Sequence, residues 1–179
     1  MHPDDIAILP EMNSLFAMSM EEQGRTLKPE SVTPLREGDK IELGGLCIEV
    51  IELPGHTPGS ICFIERSLGL LFTGDSVGSG GEFWMQLPFA LTISQLRKNL
   101  GEFMEKLPER RIFMSDYTMT RMSDILTRFD DVITSSCYIL EGAERYALID
   151  TGACNADDFR QLLRNFEDKP MVLLVTHVM

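Results

Sequence analysis

The chain is short of the features that would place it in several broad classes. Lys and Arg number 16 against 28 Asp and Glu, a formal net charge of −12 with a pI near 4.6. That balance repels a phosphate backbone, and no Lys/Arg cluster forms a local basic patch, so a nucleic-acid partner is not expected. Long apolar runs are also lacking: nothing approaches the roughly 20 residues that span a bilayer, so no membrane association is expected. The opening Met1-His2-Pro3-Asp4-Asp5 has neither a basic n-region nor an apolar h-region. A cytoplasmic location is the resulting expectation. Cysteine is sparse too. Cys47, Cys62, Cys137 and Cys154 include no C-x-x-C pair, and three lie in apolar runs, so they read as buried thiols. With 44% apolar and 25% charged residues over 179 positions, the composition is that of one globular domain able to bury roughly 70% of its unfolded surface.

Helical spacing appears over Glu11 to Gln23, over Leu91 to Leu107 with Thr92 or Ser94 near the N-cap, and over Ala156 to Phe166. Short strand candidates are Val32–Leu35, Asp39–Leu43, Leu46–Leu53, Ser60–Glu65 and Gly69–Thr73, separated by Gly-Asp, Gly-Gly and Pro-Gly turns. Further candidates are Ile133–Glu141 and Arg145–Asp150, joined by a hairpin turn at Gly142-Ala143-Glu144, and Met171–Thr176. The last is apolar from Met171 to Val175, as expected for a strand buried on both faces. Strands alternating with helices predict an α/β sandwich in which helices cover sheets.

The densest motif is Leu53-Pro54-Gly55-His56-Thr57-Pro58-Gly59-Ser60, followed nineteen residues after His56 by Asp75 in Thr73-Gly74-Asp75. Each polar residue ends a strand-like run, which would deliver His56 and Asp75 to one edge of a sheet. The alternative for each is a turn-forming role beside glycine. Gly78-Ser79-Gly80-Gly81 lacks the Lys of a P-loop and reads as a loop beside the site, with Phe83 and Trp84 positioned to cover substrate. His2 is expected to be exposed to solvent, with a minor alternative as a substitute ligand.

Together with Ala147-Leu148-Ile149-Asp150-Thr151-Gly152 and the strand running to Thr176-His177, these motifs resemble the metallo-β-lactamase-fold hydrolase superfamily. The resemblance implies an αββα sandwich and a metal site to which His56, Asp75 and His177 contribute. Asp150 would support the site without ligating. Zinc is the implied metal, one or two ions, with iron or manganese as alternatives. His, His and carboxylate leave a fourth position for water, which a metal of this type brings to a pKa of about 7. A small-molecule substrate follows, carrying an ester, thioester, lactone, lactam or phosphoester bond.

The chain departs from the family pattern in two respects. Residues 114–179 resemble the family's amino-terminal part and residues 1–113 its carboxy-terminal part, so the single domain reads as permuted. In addition, the His, Asp and His that complete the family's T-H-x-H-x-D-H signature after His177, and its P-G-H-G motif, have no counterpart here. The rival to a hydrolase is therefore a non-catalytic scaffold or binding domain of the same fold. An electron-transfer diiron domain ranks below both, for want of carboxylates. Shortened metal loops would expose apolar surface, and a homo-oligomer is the expected consequence.

Overall fold

A computed structural model of the chain describes residues 1–15, 27–77, 85, 88–107, 126–130, 136–150, 160 and 163–176. Among these residues the strands form two four-stranded sheets. The first is an antiparallel meander of β1 (Lys40–Glu42), β2 (Cys47–Glu52), β3 (Ile61–Glu65) and β4 (Leu70–Phe72). The second orders β5 (Leu126–Asp130), β6 (Ser136–Glu141), β7 (Tyr146–Ile149) and β8 (Met171–Leu174), antiparallel except for the parallel β7–β8 pair. Helix α1 spans Pro3–Leu15 and α2 spans Ile93–Lys106. No helix among the described residues is long and apolar enough to cross a membrane.

Alternation of side chains along the strands builds the layers. Ile61 and Phe63 of β3 point into the cluster between the sheets, where they meet Leu140 of β6, Ala147 and Ile149 of β7 and Leu174 of β8. Cys62 and Ile64 point the other way, into a cluster closed by Phe103 of α2. On the far face of the second sheet, Ile139 and Leu148 pack with Leu163 and Phe166. The order is thus helix, sheet, sheet, helical turn, an αββα sandwich, as expected from the sequence. β3 and β7 are buried along their whole length because each has a packed layer on both faces.

Several elements differ from the sequence reading. The first helix begins at Pro3, not Glu11: proline in the first turn, with Asp4 and Asp5 beside the positive end of the helix dipole, starts it earlier than apolar spacing alone indicates. The part of the expected helix beyond Leu15 lies outside the described residues until position 27. Val32–Leu35 is not a strand; the Leu35 N–H donates to the Met1 carbonyl (2.9 Å) and Val32 packs against α1. β5 had no counterpart in the strand reading. β8 is not buried on both faces: Leu173 stays 48% exposed, and among the described residues the strand lies at the edge of its sheet beside β7. Cys62 and Cys137 are buried as expected, whereas Cys47 is only half-buried, beside the first sheet's edge strand. Most of the helix expected over Ala156 to Phe166 lies outside the described residues, as do Cys154 and the segments 78–84 and 108–125.

One end of the sandwich is tied by its hairpins. The Ala143 N–H donates to the Gly44 carbonyl (2.9 Å) and the Glu144 N–H to that of Leu43 (3.1 Å). Leu53, Thr73, Asp150 and Val175, which follow β2, β4, β7 and β8, lie at the opposite end.

Candidate metal-binding edge

At that opposite end the loop joining β2 to β3 is gripped from two sides. Outside, the Asn99 side chain of α2 donates to the Pro54 carbonyl (2.8 Å), Leu91 N–H donates to the Gly55 carbonyl (2.9 Å), and Leu96 packs against Gly55. Inside, Asp5 of α1 is wholly buried and accepts from the Gly59 N–H (2.7 Å) and the Thr57 hydroxyl (2.7 Å). Thr57 and Ser60 bond each other three times: their hydroxyls lie 2.8 Å apart, the Thr57 N–H donates to Ser60 Oγ (2.9 Å), and the Ser60 N–H donates to the Thr57 carbonyl (3.4 Å). The loop is held on both flanks of His56.

β4 leads into a 3-10 turn, Gly74–Ser76, that carries Asp75. Gly74 has φ +52°, and a Cβ there would collide with Thr176, so the turn can press against the end of β8 only because this position is glycine. Thr176 is fixed in turn. Its N–H (2.9 Å) and its hydroxyl (3.0 and 3.1 Å) donate to the Asp150 carboxylate, and its carbonyl accepts from Ile61 N–H (2.8 Å) at the start of β3. Asp150 itself adopts φ +55° at the end of β7, a conformation that Asp tolerates better than most residues. It supports the neighbouring strand end through Thr176.

The outcome is that His56 and Asp75, far apart in sequence, meet: Nε2 lies 3.8 Å from Asp75 Oδ2, with the imidazole 7% and the carboxylate 47% exposed. That exceeds hydrogen-bond distance. It is close to the roughly 3.3 Å separating two donors that sit about 2.0 Å from one tetrahedral ion, and imidazole and carboxylate are both zinc-type donors. Among the described residues no set of three His, Cys, Asp or Glu could hold an ion. The pair therefore fits as two members of a site whose third expected member, His177, lies outside the described residues, immediately after the anchored Thr176.

His2 is placed differently from its expectation. It is buried, its Nε2 lies 2.9 Å from Glu52 Oε1, and its Nδ1 accepts the Asp4 N–H (3.2 Å), so both ring nitrogens serve the join between α1 and β2. Asp5 was not singled out by sequence reasoning, because nothing local relates it to Thr57, 52 positions away. The available signal was an acidic residue in the first turn of a helix whose side chain turns out to have no exposure to solvent.

A family model described as the metallo-beta-lactamase superfamily matches residues 2–116. Over 110 residues the chain is 32% identical to a hydroxyacylglutathione hydrolase of Thermosynechococcus vestitus, covering 61% of this chain and 42% of that protein. It is 40% identical over 68 residues to a hydroxyacylglutathione hydrolase of Haemophilus influenzae, covering 36% and 32%. Over 46 residues it is 48% identical to an acyl-coenzyme A thioesterase of Gallus gallus, covering 26% and 17%. The chain spans less than half the length of each of these relatives.

Proposed function

Because the chain belongs to the metallo-beta-lactamase superfamily, we propose that it is a zinc-dependent hydrolase acting on a thioester between an acyl group and a small carrier thiol. The observation that carries the reading is the approach of His56 to Asp75 at the strand-end edge, each delivered by a separate anchored loop. The thioester is favoured over the ester, lactone, lactam and phosphoester alternatives because the similar curated proteins are named for acylglutathione and acyl-coenzyme A hydrolysis.

In this reading His56, Asp75 and His177 hold the ion. Bound zinc supplies a water ionising near pH 7 and polarises a carbonyl. The remaining work falls to the chain. Burial of the His56 ring restricts its orientation, and the Asp75 carboxylate stays half-exposed to solvent. Asp150 holds Thr176, and with it the backbone leading to His177, against Gly74.

The test is thiol release from acylglutathione and acyl-coenzyme A by the zinc-loaded chain and its His56→Ala variant. Turnover that depends on zinc and disappears in the variant is expected. A zinc-loaded chain that releases no thiol from either substrate would overturn the thioester reading and leave the other hydrolysable bonds and the non-catalytic scaffold in its place.

A further inference from the structure

We propose that Asp5 is the positioning residue of the His56 loop, acting from α1 through Thr57 and Ser60. The assignment rests on the reading of His56 as a metal ligand. A carboxylate has acceptors only. The proton between Asp5 Oδ2 and Thr57 Oγ1 (2.7 Å) therefore belongs to Thr57, whose oxygen must accept the Ser60 hydroxyl proton (2.8 Å). Ser60 Oγ is then left with lone pairs for the Thr57 N–H (2.9 Å). One buried group thus sets the direction of both hydroxyl hydrogen bonds in the loop that follows His56, while the second Asp5 oxygen holds the Gly59 N–H (2.7 Å).

Gly59 shows how closely the carboxylate is seated. A Cβ there would lie 2.6 Å from both the Asp5 amide nitrogen and Oδ1. Asp5 acts on the residue that follows His56, through the Thr57 hydroxyl. Groups one step behind a metal ligand typically change metal affinity by about 10- to 100-fold when removed.

The experiment uses the full chain and four proteins: wild type, Asp5→Ala, Thr57→Val and Thr57→Ser. Zinc affinity is read by competition with a chromophoric chelator, thermal unfolding is recorded without metal, and the ring carbon–proton signals of His56 are followed by NMR in the metal-free state. Asp5→Ala and Thr57→Val are expected to weaken zinc binding about 10- to 100-fold and to shift the His56 ring signals, whereas Thr57→Ser, which keeps the hydroxyl, retains most of the affinity. Folded variants with wild-type zinc affinity and unmoved His56 signals would overturn the proposal. If Asp5→Ala does not fold, the Thr57 pair decides. If the wild-type chain binds no zinc, the metal-site reading fails by itself, and the His56 signals still decide whether Asp5 orients the ring.

Discussion

The placement of His56 is set by where its loop is anchored, and the same logic of paired acceptors and donors recurs at other single residues. Glu49 is a plain case. Arg66 grips it through two hydrogen bonds, Nε to Oε2 (2.8 Å) and Nη2 to Oε1 (2.9 Å). Hydrogen bonding from Arg66, outweighing burial, holds the Glu49 carboxyl below its ordinary pKa. A carboxyl depressed in the folded state stabilises the fold above its unfolded pKa of about 4.3 and loses that contribution as pH falls through the folded value. Both side chains are partly exposed. A double-mutant cycle of Glu49→Gln and Arg66→Ala should therefore return no more than about 1 kcal/mol at pH 7, less in high salt, and nothing well below pH 4. His56 and Asp75 were legible as candidates because each is set in a dense motif. Asp5 was not, since its role exists only once α1 has been laid across the loop.

Among the elements, α2 carries the clearest local instructions. Thr92 caps it, with its hydroxyl accepting the Gln95 N–H (3.3 Å) and the Gln95 side chain returning to the Thr92 N–H (3.0 Å). Thr92→Ala should cost about 1 kcal/mol in chemical denaturation. Leu96, one turn on, is buried against Gly55, so Leu96→Ala should cost about 2–5 kcal/mol and also loosen the His56 loop, lowering zinc affinity more than a capping defect does. The strong apolar spacing of α2 and its Thr cap made it readable in the sequence nearly to the residue. α1 was misplaced because its signal is a Pro and two acidic residues at the start, with weakly periodic apolar positions and Pro10 in its interior. β8 looked like a central strand by composition. Among the described residues it pairs with β7 only, an arrangement that an apolar run does not encode.

On the scale of the whole molecule, the two sheets share one core drawn from both ends of the sequence. Ile48, Val50, Ile61 and Phe63 interlock with Leu140, Ala147, Ile149 and Leu174. Val175 joins Met1, Leu9 and Met12 in a neighbouring cluster. Phe63, fully buried at the centre of this core, should be its most costly site: Phe63→Ala should lose about 3–5 kcal/mol, a large share of a typical stability of 5–15 kcal/mol. The layered architecture was legible from alternating apolar positions, whereas which strand ends would face one another depended on long-range pairings such as Ile61 with Thr176. That convergence brings the motif residues to a single edge and underlies the central claim, that His56 and Asp75 belong to one metal site. The most direct test is the metal content of the purified chain by mass spectrometry beside His56→Ala and Asp75→Asn. The account predicts about one zinc or more per wild-type chain, lost in both variants. A metal-free wild type after zinc loading, or zinc retained undiminished in both variants, would contradict it.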